Sequence, residues 1–258
     1  MSVETTLAHP IAHIPSRSFV KSLSGMVRVS LRPTGNTMIN LLTCAPEKSS
    51  KSRSALPHLL LAHGAGQGMA SPFFETLTGL LVSGGVGVTR FEFAYMAARQ
   101  QDGKRRPPPR MPVLLDEYRV AVATLREILG SKPHIVIGGK SMGGRAASMI
   151  ADDLFTKGAI AGLVCLGYPF HPPKKPDTLR TAHLVHLQTP GLIVQGERDP
   201  FGTRDDVSSY SLSPAIQIAW MGDGDHDLSP RVKSGFTRTG NLETAAEAIH
   251  SFLACLSK

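Results

Sequence analysis

Cysteine is scarce in this chain: its 258 residues include only three, Cys44, Cys165 and Cys255. An odd number without the spacing of metal ligands argues against both a disulfide framework and a cysteine-bound metal. We therefore expect no metal and a reducing compartment, the cytoplasm. Cys165 lies in the apolar run GLVCLG, which is typical of a small buried side chain.

Long apolar runs are also missing. The first twenty residues contain no continuous hydrophobic segment of the kind that a signal peptide has, and no later stretch approaches the length of a membrane span. We therefore predict neither secretion nor a membrane partner. Glu4 is the only acid among those twenty residues, and this scarcity of acids leaves a transit peptide open.

Hydrophobic residues make up 41% of the sequence and charged residues 19%, which suits one large domain with a full core. We predict a single domain over residues 25–258, preceded by an N-terminal extension at 1–24 whose order is uncertain. A formal net charge of +8 indicates affinity for something anionic, but the charge alone does not distinguish nucleic acid, membrane and acidic substrate.

Short apolar runs alternate with amphipathic segments through most of the chain. Such alternation predicts an α/β fold, a mostly parallel sheet with helices on both faces, whose functional groups gather at the carboxyl ends of the strands. Strands are predicted at 26–31, 37–42, 59–64, 86–93, 134–138, 161–166, 191–195 and 216–220, and helices at 71–84, at 114–130, from Met142 and from Asn241.

The run IVIGGKSMGGR at residues 135–145 matches two motifs with different chemistry. Its GKS is the end of a phosphate-binding loop, but that loop requires a glycine at the position of His134, and a strand replaces the flexible part. Its GKSMG also fits G-x-S-x-G, the strand-to-helix turn that exposes a nucleophilic serine, here Ser141. We favour the nucleophile, with an N-cap serine in a glycine-rich turn as the alternative.

A serine nucleophile needs a histidine as base and an acid that orients the histidine. Strand 191–195 runs into GERDPFG, which places Asp199 at a carboxyl strand end. Strand 216–220 runs into GDGDHDL, which places His226 at the next one. The sequence therefore predicts a triad of Ser141, Asp199 and His226.

Both partners of the serine have alternatives. The carboxylates at 205–206 are possible acids, although they lie farther from the strand end. The acids around His226 resemble a calcium loop that starts at Asp223, but that loop requires a glycine and a glutamate where this chain has Leu228 and Ser234.

Acyl transfer also requires two backbone N–H groups that bind the developing oxyanion. We expect one from Met142, which follows the nucleophile at a helix N-terminus. The other is expected from Ala65, with Gly66 as the alternative, in the loop GAGQG after the strand at 59–64. A plain turn between strand and helix is compatible with the same glycines.

The motifs HGAGQGM, GGKSMGGR, GERDPFG and GDGDHDL, with the serine, acid and histidine in that order, resemble the α/β-hydrolase superfamily over nearly the whole chain. SPFF, RFEFAYM, GKRRPPPR and GYPFHPP are similar to its dienelactone-hydrolase-like branch, which includes testis-expressed-protein and histone-acetyltransferase-complex-subunit relatives. The resemblance implies about eight strands and hydrolysis of an ester or related acyl bond. Dienelactone hydrolases have a cysteine at the position of Ser141, so their substrate does not carry over.

Two basic segments follow strands at the predicted functional edge. The first contains Arg105 and Arg106, and the second contains Lys174. Cations at the mouth of a site favour a carboxylate or phosphate on the substrate. The alternative is a solvated loop whose arginines pair with Asp102, Asp116 or Glu117. Because neither interleaved aromatics nor a recognition helix accompanies GKRRPPPR, we predict no nucleic-acid partner.

The combined prediction is a carboxylesterase-like serine hydrolase that uses an acyl-enzyme intermediate and no cofactor. Its substrate is predicted to be a small acyl compound, and the basic segments favour an anionic one. Some relatives in the branch act within larger complexes. The alternative is therefore a hydrolase-fold scaffold that binds a protein partner and catalyses little. A complete triad favours the enzyme, because a binding module has no need of three residues in catalytic register.

Overall fold

The computed structural model describes residues 18–23, 26–31, 39–45, 56–130 and 134–257. The strands of this part are β1 (Ser18–Leu23), β2 (Met26–Leu31), β3 (Ile39–Cys44), β4 (His58–Ala62), β5 (Val88–Glu92), β6 (Ile135–Lys140), β7 (Gly162–Leu166), β8 (Gly191–Gly196) and β9 (Ile216–Met221). The helices are α1 (Pro72–Ser83), α2 (Ala94–Asp102), α3 (Met111–Leu129), α4 (Met142–Thr156), α5 (Arg204–Ser208) and α6 (Arg238–Leu256), with a short 3₁₀ turn at Ala182–Leu184.

All nine described strands form one sheet, in the order β1-β2-β3-β5-β4-β6-β7-β8-β9. The pairs from β5 to β9 along this order are parallel, whereas β1, β2 and β3 pair with their neighbours in antiparallel fashion. The predicted α/β fold with a mostly parallel sheet is confirmed. The strand count exceeds the expected eight because β1, which pairs with β2, lies within the segment predicted as an extension.

Some sequence predictions fall on other parts of the chain. Most of the extension at 1–24, the turn between β2 and β3, and most of the polar loop at 45–55 lie outside the described residues. Where the comparison is possible, β3 ends at Cys44, two residues after the predicted strand at 37–42, and α6 begins three residues before Asn241.

The two faces of the sheet bury different side chains, because successive residues of a strand point to opposite sides. In β4, Leu59 and Leu61 belong to the core that α1 and α6 cover. Leu60 and Ala62 belong to the core that α3 and α4 cover. All four side chains are fully buried, which accounts for the continuous apolar run in this central strand.

Helix α1 begins where its sequence predicts. The Ser71 side chain accepts a hydrogen bond from the Phe74 N–H, and Pro72 occupies the first turn. Phe73 and Phe74 are buried at this end of the helix, which lies at the carboxyl edge of the sheet.

No helix in the described ranges combines the length and apolarity that crossing a membrane requires.

Helix α2 occupies a stretch that the sequence assigns to a basic loop. Only its first turn is buried, through Tyr95, Met96 and Ala97, while the polar second turn ends at Gly103 with φ 71°. A helix with so short an apolar stripe gives no periodic signal over a window of useful length. Its presence moves the following basic residues away from the strand end.

The three cysteines differ in their environment. Cys44 and Cys165 are buried, whereas Cys255 is exposed near the end of α6. Burial raises the pKa of the Cys165 thiol. The prediction that Cys165 is a small buried side chain is confirmed.

The strand order creates a crevice at the carboxyl edge. β4 lies between β5 and β6, so the chain leaves β4 toward one side of the sheet and later returns to its other side. Ligands of open α/β sheets bind at such a switch point. The loops after β4 and β6 are therefore neighbours there, and the loops after β8 and β9 lie farther along the same edge.

Candidate active site

Ser141 lies in the turn between β6 and α4, with φ 51° and ψ −114°. Non-glycine residues rarely adopt this conformation, which costs about 1–3 kcal/mol and persists at functional turns. A Cβ atom on Gly143 would lie 2.5 Å from the Ala62 carbonyl oxygen and 2.6 Å from that of His63. The helix therefore approaches β4 as closely as a nucleophile elbow requires.

Ser141 and His226 line the same cavity, which has a volume of about 280 Å³, and Ala65 lines it as well. Three loops that are distant in sequence thus meet at one place, after β4, β6 and β9. Aromatic side chains form part of the wall: Phe73 and Phe74 from α1, and Phe201 from the loop after β8.

The predicted acid and base are directly hydrogen-bonded. His226 Nδ1 donates to Asp199 Oδ2 at 2.8 Å, and Asp199 is fully buried. The Phe201 main-chain N–H donates to the other carboxylate oxygen at 2.9 Å. Because the carboxylate accepts the Nδ1 proton, Nε2 is the basic atom of the neutral ring.

The alternatives to these assignments have other partners. Asp206 is the acid of a capping box on α5, bonded to the Thr203 side chain and N–H, and Asp205 is exposed. Asp223 accepts hydrogen bonds from the Arg231 main-chain N–H and guanidinium. In the described ranges no group of His, Cys, Asp or Glu has the arrangement of a metal site.

Gln195 is a site residue that motif analysis misses. Its side chain is fully buried at the end of β8 and donates to Asp199 Oδ2 at 3.0 Å. Its oxygen accepts from the Tyr168 main-chain N–H at 2.7 Å. The amide therefore fixes the acid against the loop after β7. A polar residue in the apolar run GLIVQG is the signal that the sequence offers.

His63 holds the loop after β4 through both ring nitrogens. Nδ1 donates to the Gly64 carbonyl at 2.6 Å, and Nε2 accepts from the Phe93 N–H at 3.1 Å. Burial lowers the pKa of His63 to about 4, so the ring is neutral near pH 7. The Tyr95 hydroxyl adds a bond to the Ala65 carbonyl at 3.1 Å.

This loop lies against Ser141. A Cβ atom on Gly64 would be 3.7 Å from the Ser141 Cβ. No acceptor in the part of the chain that the structure describes takes a hydrogen bond from the Ala65 or Met142 amide. Ala65 lines the cavity that contains Ser141, whereas Met142, which follows Ser141 in the chain, is not among the described residues that line it.

The basic residues that were predicted to bind the substrate do not line this cavity. Arg105, Arg106 and Lys174 are not among the described residues that line the cavity. Arg106 is paired with Asp102, with 2.9 Å between Nη1 and Oδ1, as one alternative from the sequence anticipates. Arg105 and Lys174 are exposed. The three residues therefore do not form the wall of the cavity at Ser141, and α2 separates the two arginines from the end of β5.

Residues 55–254 match the family model described as an alpha/beta hydrolase domain. The chain belongs to the α/β-hydrolase family. This confirms the family predicted from the motifs. The relationship to testis-expressed-protein and acetyltransferase-complex-subunit relatives stays a prediction.

Solved structures resemble this α/β hydrolase over nearly its full length. A dienelactone hydrolase from Anabaena variabilis is 18% identical with a TM-score of 0.65, covering 95% of this chain and 100% of its own. An α/β serine hydrolase homologue from Coxiella burnetii is 16% identical, with a TM-score of 0.61 and coverage of 94% and 99%. Est1E from Butyrivibrio proteoclasticus is 14% identical, with a TM-score of 0.62 and coverage of 90% and 99%. At these identities the similarity shows the fold alone.

Proposed function

We propose that this α/β hydrolase is a carboxylesterase-like serine hydrolase that cleaves an ester or related acyl bond. The observation that carries the proposal is the hydrogen bond from His226 to the buried Asp199, on a ring that shares a cavity with Ser141. An orienting acid, a base and an exposed hydroxyl are the three groups that nucleophilic acyl transfer requires.

In the proposed reaction, the Ser141 Oγ attacks the acyl carbon while His226 Nε2 removes its proton. Asp199 stabilises the imidazolium that forms and keeps the ring in the correct tautomer. The tetrahedral intermediate then collapses, the C–O bond breaks, and Nε2 returns the proton to the leaving alcohol. Water, activated by the same nitrogen, hydrolyses the acyl-enzyme and restores the Ser141 hydroxyl.

The N–H groups of Ala65 and Met142 are the proposed oxyanion donors. Met142 is the first residue of α4, a helix of 15 residues whose N-terminal dipole favours negative charge. The loss of one such donor typically lowers turnover by about 10²- to 10³-fold. The contacts of His63 and Tyr95 support this role for Ala65, because they hold its loop in one conformation.

The cavity favours a small acyl group. Its volume of about 280 Å³ is at the lower end of ligand pockets, and three phenylalanines contribute to the wall. One of them, Phe201, packs on the His226 ring, with 4.3 Å between the two ring centroids.

An anionic substrate is supported by Arg99 rather than by Arg105, Arg106 or Lys174. A second cleft, of about 450 Å³, is lined by Gly66, Gln67 and Ser71, which also line the first cavity. Among the described residues that line this second cleft, Arg99 is the one with a charged side chain. The guanidinium lies 3.5 Å from the Gly66 carbonyl and forms no ion pair with a described carboxylate. A carboxylate on the substrate fits this position.

A fluorophosphonate probe tests the proposal, because it labels only an activated serine. We expect wild-type protein to be labelled and Ser141→Ala to show no labelling. Equal labelling of both would contradict the enzyme and favour the protein-binding scaffold. A panel of chromogenic esters that varies acyl length and charge then defines the substrate class.

A further inference from the structure

Lys140 has a buried cationic side chain that the reaction above does not use. The residue is 7% exposed, although it precedes the nucleophile at the variable position of the motif. Its Nζ donates to the His226 carbonyl oxygen at 2.7 Å. The same atom lies 3.2 Å from Asp227 Oδ1.

The surrounding residues form a close-fitting site for this ammonium group. Gly167 has φ 59°, and a Cβ atom there would lie 2.9 Å from the His226 carbonyl oxygen and 3.3 Å from Lys140 Nζ. The Phe73 ring centroid lies 5.6 Å from Nζ, within the range of a cation–π contact. The absence of a side chain at position 167 therefore makes room for the contact between Lys140 and the histidine loop.

We propose that Lys140 is a positioning residue, whose ammonium group fixes the main chain of His226 relative to Ser141. This inference rests on the proposed function of those two residues. Lys140 and Ser141 are consecutive, so one end of the link is covalent, and the other end is the hydrogen bond to His226. An error of about 1 Å in the placement of a catalytic group is able to cost about 10² in rate.

A packing role does not account for a lysine here. Burial of an ammonium group costs free energy that a methionine of similar length avoids. Burial lowers the pKa of Lys140, while the carboxylates of Asp227, Asp199 and Asp225 raise it. These acids come from the loops after β8 and β9, so the positive charge is held where the catalytic loops converge.

Other contacts hold the histidine loop at different points. Asn241 Nδ2, from α6, donates to the Gly222 carbonyl at 3.0 Å and to the Leu228 carbonyl at 2.8 Å. These bonds fix residues on either side of the histidine. Lys140 instead contacts the carbonyl of His226 itself, so its loss is expected to change the position of the ring more than the fold of the loop.

The test compares Lys140→Met with Asp227→Asn on a neutral chromogenic ester. Lys140→Met removes a hydrogen bond from a charged donor, so we expect kcat to fall about 10- to 100-fold with KM within about twofold. The second-order rate of fluorophosphonate labelling should fall by the same factor. Asp227→Asn retains the bond to His226 and loses only a half-exposed ion pair, so we expect a fall of about two- to fivefold.

Lys157→Met is the matched control. It removes another lysine–aspartate pair, with Asp153 at the end of α4, and should leave kcat and labelling unchanged. The Tm of Lys140→Met should change little, because the loss of the hydrogen bond to the His226 carbonyl is offset by removal of a buried ammonium group. Asp227 has a side chain that is 54% exposed and stays solvated. If Lys140→Met does not fold, Lys140→Gln takes its place, since its neutral amide is too short for the same contact.

Rates for the Lys140 variant within twofold of wild type would overturn the inference, as would an equal loss in the Lys157 variant. Failure of the proposed function itself has a different signature. In that case the wild-type protein shows no labelling that depends on Ser141, whatever residue stands at position 140.

Discussion

Lys140 and Arg106 are both basic, yet their surroundings differ in every respect. Arg106 belongs to the run GKRRPPPR and forms a surface pair with Asp102, in which the side chains are 39% and 38% exposed. Lys140 stands alone in the sequence and is buried between Ser141 and the loop that carries His226. Surface ion pairs contribute about 0–1 kcal/mol, so a dense run of charge is a poor guide to function. The burial of Lys140 and its hydrogen bond to the His226 carbonyl, rather than a high local charge, indicate that this cation contributes to the candidate site.

The comparison sets the buried residues at the carboxyl edge of the sheet against the exposed basic segment that contains Arg106. Its strongest test is Asp199→Asn, at the buried edge. An asparagine keeps the shape but favours the wrong histidine tautomer, so we expect kcat to fall by about 10⁴ while the fold is retained. Asp206→Asn is the control: it weakens the capping box on α5, costing about 1 kcal/mol of unfolding free energy, without affecting turnover. Near-normal hydrolysis by Asp199→Asn would mean that another acid orients the histidine.

The two buried histidines at the ends of β4 should also make stability depend on acid: His58 begins the strand, and His63 follows it. Burial lowers the pKa values of His58 and His63 to about 4, below the unfolded value of 6.5. Between these values the unfolded chain binds more protons, so stability falls as the pH falls from about 6.5 to 4. Each histidine then accounts for a loss of about 3 kcal/mol, measured by urea unfolding at several pH values.

His58→Gln is the variant that tests this assignment. It removes one of the two titrating groups and should make the pH dependence shallower than that of wild type. The same slope in both proteins would show that the buried histidines do not cause the loss. The exposed pair offers a contrast, since the Arg106 hydrogen bond lowers the pKa of Asp102 to about 2, below this window.

Arg99→Ala tests a residue between the two, because Arg99 lines the second cleft, which shares lining residues with the cavity at Ser141. Loss of a contact to a substrate carboxylate should raise KM about tenfold for anionic esters and leave KM for neutral esters unchanged. Arg105→Ala is the matched control and should change neither, because Arg105 lines neither cleft in the described residues. Equal effects of Arg99→Ala on both ester classes would remove the argument for an anionic substrate.

Local motifs at strand ends allowed the elbow and the acid–histidine pair to be predicted. Ser141, Asp199 and His226 each follow a recognisable apolar strand, and parallel strands bring such loops to one edge. The contacts of Gln195 and Lys140 were not predictable in this way. Lys140 and His226 are 86 residues apart in sequence, and no spacing rule connects a lysine with a carbonyl group.

The position of the first basic segment was not predictable for a physical reason of the same kind. It was expected to follow a strand end on the same side of the sheet as Ser141, but the nine residues of α2 lie between the end of β5 and Arg105, and neither Arg105 nor Arg106 lines the cavity. The apolar stripe of α2 is too short to give a periodic pattern in the sequence. The helix therefore was not predicted, and the position of the basic segment that follows it was not predicted either. Likewise β1 is recognisable as a strand only once its antiparallel pairing with β2 is known.

Because the three thiols differ in exposure, one of them is expected to react with labelling reagents. Because Cys44 and Cys165 are buried and Cys255 is exposed, a maleimide reagent should attach to one place, near the end of α6. A fluorophore or spin label can therefore be introduced without first removing the native cysteines. Cys255 then serves as a fixed reference point from which a second probe reports movement of the histidine loop.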